Sequence, residues 1–394
     1  MSIRNIILLA ICQAVLMTGS SLLIATSALV GAAISEASAW ATIPLGVQFL
    51  AMTATAIPAS LLMQAYGRRA GFLLGIGAGI IGVGLAVVAI LEAQFLLFCL
   101  ASVFVGVFNG VGQFFRFAAA DVAGEGNKAR AISLVLAGGI LAGFLGPNIG
   151  AWTESILDVR FAASYLALGV FYLIGLVAIL FLKIPVPPKN DAFGSSHRLL
   201  SIAARPGFLV AVLTAAVGYG AMNIIMVATP LAMDSHQFGF TDTAFVIQWH
   251  VVAMFLPSFF TGELIRRCGV GFIIQVGVLL MLGCVIINFS GVSIWHYWAS
   301  LVLLGVGWNF MFIGGTTLLT QVHSEAEKGK TQALNDFIVF GTVSLTALGS
   351  GGLLEWVGWL PLNLSIVPFL ILVSLGVSYL GLIYKRRSVQ SAQV

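Results

Sequence analysis

Twelve long apolar runs follow one another along this chain, and they leave little choice of fold. They cover residues 5–33, 40–63, 70–91, 94–116, 130–152, 162–183, 206–232, 242–265, 270–289, 295–320, 333–354 and 361–384. A helix needs about 20 apolar residues to cross the hydrocarbon of a bilayer. The runs are too long for the strands of a membrane barrel, and lipid offers no partner for a free backbone N–H or C=O, so each run is read as a helix. Composition agrees: the chain is 60% hydrophobic and only 8% charged, where a soluble domain carries about 25% charged residues. Its mean hydropathy is +1.07. The 45 glycines suit close helix packing in lipid. The expected class is an all-α membrane protein with twelve transmembrane helices.

The charges test the count. With the N-terminus in the cytoplasm, every one of the 18 Lys and Arg residues except Arg160 falls on the cytoplasmic side. Such a bias sets membrane orientation, and one miscounted helix would invert every later loop and destroy it. Acidic residues are not sorted this way. The expectation is a multi-pass protein of the bacterial inner membrane with both termini cytoplasmic. Net charge is +4, but the basic residues are spread over short loops, which excludes nucleic acid as a partner; the partner is the lipid bilayer. Cys12, Cys99, Cys268 and Cys284 are far apart and form no CxxC, so neither a disulfide framework nor a zinc site is indicated. The first run is too long for a signal peptide and lacks a clear cleavage site, so it is kept as a helix.

The longest polar stretch, 184–205, carries Pro185, Pro187, Pro188, Lys189, Asn190 and Asp191 and reads as a cytoplasmic linker. It separates an N-terminal six-helix half, 1–183, from a C-terminal one, 206–394. The halves echo each other: Gly67-Arg68-Arg69 closes the loop after the second run, and Arg266-Arg267-Cys268-Gly269 closes the loop after the eighth. Parallel repeats of six helices, with a site near the midplane between them, are a transporter architecture. Over its whole length the chain resembles the major facilitator superfamily. The stretch Ser60–Arg69 is similar to that superfamily's signature between helices 2 and 3, with Gln64 in place of the usual acidic residue and Ser60 in place of the leading glycine. Gly143-Phe144-Leu145-Gly146-Pro147-Asn148-Ile149-Gly150 resembles the fifth-helix signature of exporters, and reads equally as a Gly/Pro hinge or packing face. The resemblance implies two six-helix pseudo-repeats in the major facilitator fold.

Polar residues inside a membrane are expensive and therefore informative. The seventh run holds Met222 and Met226, and the eighth holds His250 and Met254. Each pair is spaced i,i+4, so its members share a helix face about 6 Å apart along the axis. If the two runs are antiparallel neighbours, Met226 lies level with His250 and Met222 with Met254. Thioethers and imidazole suit Cu(I), and the absence of a carboxylate argues against Mg²⁺ or Ca²⁺. Against this stands the common use of Met as core filler and of a lone His as a packing residue or proton carrier. The pattern is similar to that of the CcoA-like copper importers within the superfamily, and the resemblance implies that Met222, Met226, His250 and Met254 bind copper as transported substrate. Met233 and His236 are candidate contacts at the outer mouth.

A second set points to an organic solute. Gln48, Asn109, Gln113, Trp249, Trp308 and Asn309 are candidate cavity-lining residues, with Trp249, Phe255 and Trp308 available to stack on a flat ring. Related members of the family resemble riboflavin transporters, which makes riboflavin or a similar planar solute the alternative substrate. The competing reading is interfacial Trp and helix-bridging Asn or Gln. Arg68, Arg69, Arg116, Asp121, Lys330 and Asp336 read as gating or structural residues, with Arg116 expected to pair with Asp121 and Asp336 with Lys330. No Walker sequence occurs, so ATP is not the energy source. No nucleophile–base pair or HExxH marks an enzyme, no cofactor is expected, and no soluble domain marks a sensor. The sequence leads to a secondary transporter, a monomer, importing copper first and riboflavin second.

Overall fold

The structure, a computed structural model, describes residues 3–123, 128–184, 203–323 and 327–391. Among them all regular structure is helical. In chain order the helices are α1 (Ile3–Ile34), α2 (Ile43–Tyr66), α3 (Arg68–Leu91), α4 (Phe95–Gly112), α5 (Phe115–Val122), α6 (Lys128–Thr153) and α7 (Ala162–Leu180). They continue with α8 (Pro206–Ser235), α9 (Phe240–Phe255), α10 (Ser258–Cys268), α11 (Val270–Ser290), α12 (Ile294–Thr320), α13 (Lys328–Val357), α14 (Trp359–Leu364) and α15 (Val367–Ser391). Ten stretches of the described residues are long and apolar enough to cross a membrane, and the bent pair α9–α10 makes eleven. With the 26-residue α6 in the place of the fifth run, the twelve-helix architecture holds. Of the expected linker, residues 185–202 lie outside the described residues.

Two of the expected runs are not continuous. The run 94–116 breaks after Gly112, so Arg116 sits on the short α5. Gly110 and Gly112 weaken that last turn because glycine loses the most backbone freedom in a helix. The run 242–265 breaks at Pro257, and α9 meets α10 at 44°. Proline has no N–H to donate and its ring crowds the preceding turn.

The repeat is visible in local backbone geometry. Gly67 (φ 85°, ψ 156°) ends α2 and starts α3, and Gly269 (φ 86°, ψ 146°) ends α10 and starts α11. Only glycine occupies that region without strain. Arg68 pairs with Asp121 on α5, and Arg69 donates to the Leu180 carbonyl at 2.6 Å. Those bonds tie the start of α3 to the ends of α5 and α7.

Two compact units are present. The first holds residues 1–190 with 226–251 and 347–356. There α1 packs on α6, α2 and α3 on α4, and α3 on α7. Phe72, Phe98, Phe108, Phe115, Tyr165 and Tyr172 fill it, all under 2% exposed. The second unit holds 191–225, 252–346 and 357–394. There α11 packs on α12 and α15, and α10 braces α11 and α12. Arg205, just before α8, makes a two-pronged bond to Glu327 at 2.6 and 2.9 Å and reaches the Val322 carbonyl at 2.9 Å. The Glu327 carboxylate raises the Arg205 pKa by hydrogen bonding to the charged guanidinium.

Candidate functional site

The second unit contains an aromatic cluster built on α12. Trp308 and Phe312, one turn apart, stack with ring centroids 5.2 Å apart and planes within 8°. Tyr219 of α8 stands edge-on to both, at 5.2 Å from Trp308 and 5.5 Å from Phe312. Phe340 of α13 meets Tyr219 at 6.1 Å, and Phe255 at the end of α9 meets Trp308 at 5.9 Å and 75°. Ala215, Ala216 and Val339 back this cluster as a small apolar core. Trp308 is 5% exposed, yet its indole N–H has no hydrogen-bond partner among the described residues. Buried indole N–H groups usually find one, whether a protein group, an ordered water or a solute.

Asn309, the next residue, has a different role from the cavity lining expected of it. Its Nδ2 donates to the Met254 carbonyl at 2.7 Å and to Ser258 Oγ at 2.6 Å, and its Oδ1 accepts from Thr261 Oγ1 at 2.7 Å. All three groups flank the break at Pro257. The side chain therefore satisfies backbone and hydroxyls where α9 gives way to α10, and this fixes Phe255 beside Trp308.

The Met/His set is buried throughout. Met222 and His250 are 0% exposed, Met226 2% and Met254 6%. Met222 and Met254 belong to the second unit, and Met226 and His250 to the first. Beside Met222, Asn223 donates to the Val343 carbonyl at 3.0 Å and to Thr346 Oγ1 at 3.1 Å, tying α8 to α13. The two outer-mouth candidates have opposite surroundings: Met233 is fully buried on α8, while His236 is exposed beyond its end. Among the described residues there is no cluster of three His, Cys, Asp or Glu suited to a metal.

In the first unit, Gln48 and Asn109 mark the crossing of α2 and α4. A Cβ at Gly106 would lie 2.3 Å from the Gln48 carbonyl oxygen, and one at Gly110 2.7 Å from that of Met52, so the helices touch backbone to backbone. Asn109 is 4% exposed and its Oδ1 is without a donor among the described residues. Gln113 is half-buried at the α4–α5 break. Trp249 on α9, 37% exposed, lies edge-on to Phe144 and Phe245, and its neighbour Gln248 accepts a hydrogen bond from Asn148. The Gly143–Gly150 segment of α6 works as a packing face: a Cβ at Gly146 would lie 2.0 Å from Ser21 Oγ of α1.

The expected pairing of Arg116 with Asp121 is corrected. Asp121 takes Arg68, and the Arg116 guanidinium lies 4.9 Å above the Phe117 ring. Asp336 accepts from Asn335 at 3.0 Å, and the side chain of Lys330 lies outside the described residues. Sequence reasoning missed Tyr219, Phe312 and Phe340. The i,i+4 spacing of Trp308 and Phe312 was the available signal for one of them.

Comparison with known proteins gives a consistent result. Residues 9–347 match the family model of the Major Facilitator Superfamily. The chain is 38% identical over 373 residues to the riboflavin transporter RfnT of Brucella anthropi, covering 94% of each protein. It is 30% identical over 341 residues to YdeG of Bacillus subtilis, an uncharacterized transporter of the same type, covering 80% of this chain and 78% of that one. Among solved structures it resembles a bacterial homologue of the human lysosomal transporter Spinster, inward-facing and unoccupied. That likeness has a TM-score of 0.75 at 15% identity, over 96% of this chain and 97% of the other. An auto-inhibited peptide transporter of the POT family gives 0.69 at 11% identity, over 97% of each. These two likenesses concern the fold alone.

Proposed function

The chain belongs to the major facilitator superfamily, and from that premise we propose that it imports riboflavin or a closely similar flat heteroaromatic solute. As a member of that family it is a multi-pass membrane transporter acting on a small solute, not an enzyme. The observation that carries the proposal is the aromatic cluster of the second unit. A stacked Trp308–Phe312 pair with Tyr219 and Phe255 at its edges suits a flat ring. The bare Trp308 N–H suits a ring carbonyl, and leaving such a donor unsatisfied costs about 1–3 kcal/mol. The 38% identity to a riboflavin transporter supports the same substrate. The sequence put copper first and riboflavin second; these observations reverse that order.

In this reading the protein is a monomer of the bacterial inner membrane, and the distribution of Lys and Arg supports cytoplasmic termini. It works by alternating access of its two halves, 1–183 and 206–394, driven by a gradient. The experiment is uptake by a riboflavin-requiring bacterial strain expressing the chain, with labelled riboflavin and labelled copper assayed side by side. Riboflavin uptake that survives His250→Ala is the expected result. Absence of riboflavin uptake by the well-expressed wild type refutes the reading.

Copper import remains the second reading, on the burial of Met222, Met226, His250 and Met254 and the affinity of thioether and imidazole for copper. It requires copper uptake that is lost in both His250→Ala and Met226→Ala.

A further inference from the structure

Helix α12 does not end its pattern at the aromatic pair. Trp308, Phe312, Thr316 and Thr320 follow one another at four-residue spacing, so each neighbours the last on the helix surface, turned about 40° from it. A groove of about 240 Å³ begins at Phe312 and is lined by Ile313, Thr316, Thr317 and Thr320. Its far end lies about 12 Å along the axis from Phe312, at 1.5 Å per residue.

The hydroxyls in this groove have a fixed polarity. Thr316 Oγ1 donates to the Phe312 carbonyl at 2.8 Å, Thr317 Oγ1 to that of Ile313 at 2.8 Å, and Thr320 Oγ1 to that of Thr317 at 2.7 Å. A hydroxyl has one proton and two lone pairs. In this arrangement each threonine uses its proton inside the helix and turns its remaining lone pairs outward, where they accept from donors a solute brings. None of the described lining side chains is charged, so an anionic group gains no counter-charge from them. At the head of the groove the Phe312 ring stacks on Trp308, whose buried N–H has no acceptor among the described residues.

We propose that this groove is the subsite for a neutral polyhydroxy side chain carried by the flat solute, so that α12 reads ring and tail in one line. The inference rests on the reading of the chain as a flavin transporter. It makes the protein selective for a flavin bearing a sugar-alcohol tail over the bare ring, and over its phosphate ester.

The test uses cells expressing the full chain, with initial uptake of labelled riboflavin competed by three unlabelled compounds. These are riboflavin, lumiflavin (the same ring with a methyl group for a tail) and riboflavin 5′-phosphate. In the wild type, riboflavin should compete at least about tenfold better than lumiflavin, two hydrogen bonds being worth a factor of about five each, and the phosphate should compete poorly. Val replaces Thr with the same shape and no hydroxyl. In T316V/T320V the preference over lumiflavin should fall to about twofold or less, with lumiflavin competition unchanged, which also reports an intact fold. T316S/T320S should restore the preference. Full preference in T316V/T320V, or equal competition by lumiflavin or the phosphate in the wild type, overturns the subsite. Wild-type cells that take up no flavin at all overturn the parent reading, and the subsite with it.

Discussion

Asn309 offers the sharpest test of how this fold positions its aromatic cluster. The side chain is 1% exposed and makes three hydrogen bonds of 2.6–2.7 Å across the α9–α10 break. Side-chain hydrogen bonds between membrane helices average about 0.6 kcal/mol each and reach about 1.7. Three of them sum to about 2 kcal/mol. Asn309→Leu keeps the branching of the side chain, though with a larger volume, and removes all three, leaving the Met254 carbonyl without its amide partner. We expect a loss of about 2 kcal/mol in unfolding free energy, read by titrating the detergent-solubilised protein with a denaturing detergent. Phe255 follows Met254 directly and touches Trp308, so the 44° bend should relax and the cluster open. Riboflavin KM should then rise several-fold while the maximal rate at equal membrane expression changes less. An Asn309→Leu protein with wild-type stability and wild-type KM would show that Pro257 alone sets the bend, and would refute the reasoning.

Gly67→Ala and Gly269→Ala each force a side chain into a backbone region reserved for glycine. Each should cost about 1–3 kcal/mol, visible as a lower denaturation midpoint for both halves of the repeat. Removing the carboxylate in Glu327→Ala leaves the Arg205 guanidinium with the Val322 carbonyl as its remaining partner among the described residues. Because Arg205 is 37% exposed, the cost should be about 1–2 kcal/mol, below that of breaking a fully buried pair, again read from the denaturation midpoint. Trp308→Phe keeps an aromatic face and deletes the N–H, so it should weaken riboflavin uptake about tenfold with little change in stability. Trp308→Leu should lose stacking as well and fall further.

Most of the fold was legible because lipid simplifies the problem. A helix that must satisfy its own backbone and span a fixed thickness announces itself by length and hydropathy alone, and the basic residues then order the loops. What the apolar pattern does not carry is where a span breaks. Pro257 was visible in the sequence, but the partner that makes its break tolerable, Asn309, lies 52 positions further on in a different helix. Asp121 was legible as an ion-pair partner on the right helix segment. The wrong arginine was chosen for it because Arg116 is near in sequence, whereas Arg68 is brought to Asp121 from 53 positions away by the packing of the start of α3 against α5.

The substrate was the harder reading, and the reason is chemical. A buried methionine is content in a core without any ligand, since a thioether has almost nothing to lose by leaving water. Met222, Met226 and Met254 therefore look the same whether they bind a metal or fill space. A buried indole N–H is different, because its unmet hydrogen bond has a cost that something must remove. Trp308 carries such a cost, on a ring stacked with Phe312 and edged by Tyr219 and Phe255. A buried donor thus points to a partner more strongly than a thioether does. It is also a mark that sequence spacing cannot reveal, because whether a donor is met depends on every neighbour the fold brings near.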